Sequence, residues 1–179
     1  MTEVRAYDLD LEVRRTATER IIAGIVVPYN VEQQITRSLT EVFLPGAFSA
    51  VTRAAHRVKL LTSHDASQLP IGRGQLLREE SRGLYGEFYV GKSQRGDELL
   101  EAVSEGIVDQ FSVGFVPLKD NRRSNGVVER VRAHLAEVSL VTFGAYGEKA
   151  VVEAVREVST TPNLDRLFLG CSKEQRDCC

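Results

Sequence analysis

Apolar and polar positions in this chain alternate in short runs, most of them of strand length. Residues 4–13 partly alternate through Ala6, Leu9, Leu11 and Val13, and residues 20–29 form a β-branched apolar run ended by Pro28-Tyr29-Asn30. Residues 39–44 are a further strand, stopped by Pro45-Gly46. Residues 47–56 change period, spacing Ala47, Phe48, Val51, Ala54 and Ala55 as on a short amphipathic helix. Residues 58–62 return to strand and run into the polar loop Ser63-His64-Asp65-Ala66-Ser67-Gln68. Residues 75–77 and 84–90 form a hairpin across Ser81-Arg82-Gly83.

A second helix is predicted over 97–105, with Leu99, Leu100 and Val103 on one side and Gly106 at its end. Residues 111–118 form a strand that puts Phe111, Val113 and Phe115 on one face and Ser112 and Gly114 on the other. Residues 120–126 make a polar hairpin loop, and 127–143 are mostly strand. A closing helix over 148–158 turns Val151, Val152 and Val155 inward. Residues 1–158 therefore read as one domain and 159–179 as a mobile tail opened by Thr160-Thr161-Pro162. Many strands with few inserted helices predict a β-rich α+β fold built on a closed or strongly curved mixed sheet.

Composition narrows the function classes. A net charge of −2 over 179 residues lacks the basic excess of a dedicated nucleic-acid binder. The apolar share of 42% and charged share of 27% are those of a soluble globular protein. No apolar run approaches the ~18 residues of a membrane span, and the first residues lack the apolar core of a signal peptide. A cytoplasmic protein without membrane partners is expected. Cys171, Cys178 and Cys179 cluster in the tail without a Cys-x-x-Cys spacing, as an exposed, reducible tail rather than a disulfide frame or zinc site.

Nucleotide-binding glycine loops, zinc-protease helices and the Gly-x-Ser-x-Gly elbow are absent from the sequence. Three histidines remain. His56, beside Arg53 and Arg57 at a helix end, reads as solvated and favourable to the helix dipole. His64 lies where an apolar strand gives way to a polar loop, a common position for catalytic groups. Alone, it reads better as a surface-loop histidine. Ser112 sits mid-strand with Gly114 on the same face, where the missing side chain would let a peptide approach. Alone, it too reads as an ordinary small polar residue, and it gains meaning only with a base such as His64 beside it.

An orienting group would complete such a pair. Asp65, adjacent in extended chain, points away from His64. Glu137 and His134 both follow Ser112, and three-residue spacing puts them on opposite faces of a regular strand, so only one can serve. A carboxylate within Leu135-Ala136-Glu137-Val138-Ser139-Leu140-Val141 is costly to bury without a partner.

Five segments in order carry a resemblance. They are Glu41-Val42-Phe43-Leu44-Pro45-Gly46-Ala47-Phe48; Leu60-Leu61-Thr62-Ser63-His64-Asp65 with Pro70-Ile71-Gly72; and Gly83-Leu84-Tyr85. Then come Gly106-Ile107-Val108-Asp109-Gln110-Phe111-Ser112-Val113-Gly114-Phe115 and Leu135-Ala136-Glu137-Val138-Ser139-Leu140-Val141-Thr142. The set resembles the prohead maturation proteases of tailed phages, distant relatives of the herpesvirus assemblins. The resemblance implies an assemblin-like mixed β-barrel with a few surrounding helices. It also implies a serine endopeptidase with Ser112 as nucleophile, His64 as base and Glu137 in the place of the assemblins' second histidine.

The resemblance implies no metal or organic cofactor. Its substrates would be the phage major capsid protein and scaffold, cut inside the immature head in the host cytoplasm, with self-processing in the tail and room for homo-oligomerisation. Thr142-Phe143-Gly144-Ala145-Tyr146 departs from the family's Thr-x-Pro-Ala, and the assemblins' arginine pair is missing. A backbone N–H near Gly144 or Ala145 is left as the oxyanion donor. Two alternatives are a non-catalytic capsid-assembly protein of the same fold and a metal-dependent hydrolase using His64, Asp65 and His134.

Overall fold

The computed structural model describes residues 3–7, 11–15, 20–142 and 155–157, with side chains over 20–142. The chain order is β1 (Glu3–Tyr7), β2 (Leu11–Arg15), β3 (Arg20–Pro28), β4 (Gln33–Thr36), β5 (Leu39–Phe43) and the 3-10 helix η1 (Val51–Arg57). There follow β6 (Lys59–Thr62), β7 (Gly72–Glu79), β8 (Gly83–Val90), α1 (Gln94–Ser104), β9 (Gln110–Arg122), β10 (Val128–Val141) and β11 (Val155–Glu157).

Most predicted strands are present, and the departures have physical causes. The predicted first helix is reduced to turns followed by η1, which is kinked at Ala54 (φ −138°). The loop predicted over 120–126 is shorter, because β9 continues to Arg122 against β10 and turns at Gly126 (φ +89°). Polar Gln33-Gln34-Ile35-Thr36 forms β4 by pairing with β5. The predicted closing helix is overturned at its end: Val155, Arg156 and Glu157 pair in parallel with Val13, Arg14 and Arg15 of β2. Backbone pairing along a sheet edge there prevails over the valine spacing.

The ladder runs β1-β9-β10-β6-β7-β8-β3-β2-β11, with β5 also on β10 and β4 on β5. The sheet is mixed, with β10 parallel to both β5 and β6. It is not the closed barrel expected, because no pairing among the described residues joins the ends of the path at β1 and β11. Closure would need the two end strands to meet in register, and among the described residues these short strands pair with β9 and β2 alone.

Strand β10 organises the molecule. One edge carries β9; the other carries β5 at residues 128–130 and β6 at 137–140, with Ala133 N–H bonded to Ala47 C=O between them. Phe43, Phe48, Phe88, Phe111 and Phe115 are fully buried, and Phe43 contacts both Phe48 and Phe115 at ring separations of 5.2 and 5.0 Å. Arg130, itself buried, reaches Glu41 (2.8 Å) and Asp120 (2.6 Å), tying β5 and β9 to β10.

Helix α1 begins where the Ser93 hydroxyl accepts from Gly96 N–H (3.1 Å), and it buries Leu99, Leu100 and Val103. Gly106 (φ +71°) ends the turn that follows and feeds the chain into β9.

Candidate active site

Three strands bring the candidate residues together. In β9, Phe111, Val113 and Phe115 fill the core, so alternation turns Ser112 and Gly114 to the opposite face. That face is not open solvent, since Ser112 is only 1% exposed. Across the ladder Ser112 is paired with Ser139, and Gly114 with Glu137, both on β10.

The pairing contains a break. Leu135 opposes Phe115 and Glu137 opposes Gly114, leaving Ala136 as a bulge. The core positions of β10 accordingly shift from Ala133 and Leu135 to Val138 and Leu140. The bulge reverses the expected facing: His134 and Glu137 both project away from the core. Only Glu137 reaches His64. His134 is exposed and lines a cavity of about 380 Å3 beside η1.

His64 arrives from β6, which lies parallel to β10 with Ser139 opposite Leu61 and Leu140 opposite Thr62. The chain then reverses in a tight turn closed by Asp65 N–H to Thr62 C=O (3.0 Å). Ser63 and His64, its central residues, both have left-handed φ values, 51° and 57°. That is the requirement of a type I′ turn, which favours glycine or asparagine, and each such residue costs about 1 kcal/mol or more. The turn is held by Ser63 N–H to Leu140 C=O (3.0 Å) and His64 N–H to Ser139 Oγ (3.1 Å).

The imidazole of His64 is bonded at both nitrogens. Nδ1 is 2.6 Å from Glu137 Oε1 and Nε2 is 2.5 Å from Ser112 Oγ. A carboxylate only accepts, so Nδ1–H donates to it; the neutral ring then accepts the Ser112 proton at Nε2. Side-chain exposures of 23% for His64 and 16% for Glu137 leave the ring edge reachable from solvent.

Two residues acquire roles not read from the sequence. The Ser139 hydroxyl, fully buried, donates to Glu137 Oε2 (2.8 Å) while accepting the His64 backbone N–H. Its only sequence signal was its place in a strand two residues from the carboxylate. Gly114 was expected to clear space for a peptide; instead a Cβ built there would stand 2.5 Å from Glu137 Oε1. The missing side chain makes room for the carboxylate.

The metal alternative is not supported by this arrangement. Asp65 accepts hydrogen bonds from the Ser67 amide and hydroxyl, which hold its carboxyl below the usual range, and His134 projects elsewhere. Both His64 nitrogens are already engaged. Nor does any observation favour relic residues, since Ser112 and His64 are within hydrogen-bond reach. Gly144, Ala145, residues 159–179 and the three cysteines lie outside the described residues.

Comparison with known proteins agrees with the residue pattern. The family described as caudovirus prohead serine protease matches residues 8–163. The prohead protease of Enterobacteria phage HK97 is 33% identical over 151 residues, covering 78% of this chain and 66% of that protein, just under two thirds of its length. The structure of the bacteriophage T4 capsid assembly protease aligns with a TM-score of 0.55 at 12% identity. That alignment covers 78% of this chain and 96% of the T4 chain, a likeness of fold.

Proposed function

The chain belongs to the caudovirus prohead serine protease family, and we propose that it is a serine endopeptidase with Ser112, His64 and Glu137 as its triad. The observation that carries this reading is the continuous contact from Ser112 Oγ through both His64 nitrogens to Glu137.

In the reaction, His64 Nε2 takes the Ser112 proton as Oγ attacks a peptide carbonyl carbon. Glu137 stabilises the imidazolium through Nδ1–H, and Ser139 fixes the carboxylate's other oxygen. His64 then protonates the leaving amine, and water, deprotonated by the same ring, releases the acyl group from Ser112. The backbone N–H of Gly144 or Ala145 is assigned to the oxyanion. The substrates assigned are the phage's capsid protein and scaffold within the immature head in the host cytoplasm, together with the enzyme's own segment beyond Ser159.

Co-expression with the capsid and scaffold proteins tests this, read by intact mass. The active chain should shorten both substrates and itself, whereas Ser112→Ala should fold and lose at least ~10³-fold in cleavage rate. Undiminished cleavage by folded Ser112→Ala overturns the assignment.

A further inference from the structure

The row of the sheet that holds Glu137 continues past it. Gly114 of β9 opposes Glu137, Glu137 is level with Lys59 of β6, Lys59 opposes Arg73 of β7, and Arg73 opposes Tyr89 of β8. Their strand neighbours Val113, Val138, Leu60 and Phe88 fill the core, so this row lies on the face that carries Ser112 and His64.

Lys59 and Arg73 are both exposed, and neither makes an ion pair with a carboxylate among the described residues. Like charges directly opposite across a ladder repel and weaken the pairing. Arg73 is further steadied with its guanidinium over the Tyr89 ring, 5.9 Å from the centroid. Two cations are thus kept side by side, one of them oriented, and no carboxylate among the described residues is paired with either.

We propose that Lys59 and Arg73 form a subsite for acidic side chains of the polypeptide being cut. This rests on the reading of Ser112 as the nucleophile. A chain that presents its carbonyl to Ser112 Oγ and continues over β10 and β6 passes Lys59 and then Arg73. Strand spacing and rise put them roughly 12 and 16 Å from Ser112. At about 3.3 Å per extended residue, they meet side chains about three to five residues from the cut bond.

Two measurements on the full chain test the subsite. In the first, a mixed peptide library is digested and the products are sequenced. The wild type should enrich Asp and Glu at those positions by several-fold to about tenfold, the scale of two exposed ion pairs. Lys59→Gln/Arg73→Gln should abolish the enrichment, and Lys59→Glu/Arg73→Glu should shift it to Lys and Arg. Arg37→Gln, in the distant β4–β5 turn, should leave it intact.

The second uses the Ser112→Ala chain and labelled Ala/Ser peptides bearing a Glu-Glu or a Gln-Gln pair, read by fluorescence anisotropy. Tighter binding of the Glu-Glu peptide, lost in the double Gln variant, supports the subsite even if no peptide in the library is cut, a result that would count against the protease reading alone. Cleavage without acidic enrichment overturns the subsite and spares that reading. Equal binding of the two peptides, or an oligonucleotide bound as tightly and lost in the same variant, also overturns the subsite.

Discussion

Glu137 and His134 compete for one role on grounds of chemistry and position, and the bulge at Ala136 decides which is near His64. A carboxylate brings a full opposite charge to the imidazolium. Glu137→Gln should therefore lower turnover by ~10²-fold or more, though less than loss of Ser112, with substrate affinity nearly unchanged. His134→Ala should alter it little. Single-turnover rates separate the two, and a crippled His134→Ala beside a near-normal Glu137→Gln would refute the assignment. Ser139 acts one step back: its loss would leave the His64 N–H and Glu137 Oε2 without their partner. Ser139→Ala should lower kcat about tenfold at unchanged KM, the scale of one or two hydrogen bonds, and an unchanged kcat would contradict that role.

The elements that carry these residues were legible to different degrees. Strand β9 was read with the correct faces, because its aromatic alternation is unbroken. Strand β10 was read as a strand but with the wrong facing for the Glu137–His134 pair, since a one-residue bulge leaves no mark on composition. Strand β4 carries no apolar signal in the sequence, because its stability comes from pairing with β5 rather than from apolar burial. The left-handed turn at Ser63-His64 was hidden as well, because neither residue is glycine and its support comes from β10. The bulge and the Gly114 gap act together, so Gly114→Ala is a sensitive test of the pairing. The added Cβ meets the end of a flexible side chain, which can swing aside, so the fold should survive, with a melting temperature lowered by only a few degrees for the hydrogen bonds lost to His64 and Ser139. Turnover should nonetheless fall, by about 10- to 100-fold, as the carboxylate leaves His64. Unimpaired turnover would show that the carboxylate position is not needed.

Ser112 and His64 are 48 residues apart in the chain and His64 and Glu137 are 73 apart, so their meeting is a property of topology. Local pattern could propose each residue separately; only the ordered resemblance linked them. The barrel is what the resemblance implies; strand content allows a closed or a strongly curved sheet and is silent on whether edge strands find each other, and the described ladder stays open. What aligns the site is β10, long enough to hold β9 along one edge and β5 and β6 in series along the other, with the buried Arg130 contacts to Glu41 and Asp120 at its far end. Against well-packed apolar residues such a buried ion network adds little net stability. The most direct measurement is reaction of the full chain with a fluorophosphonate, followed by peptide mapping. The proposed triad predicts one adduct, on Ser112, formed far more slowly in His64→Ala; an adduct on another serine, or equal labelling of His64→Ala, would contradict it.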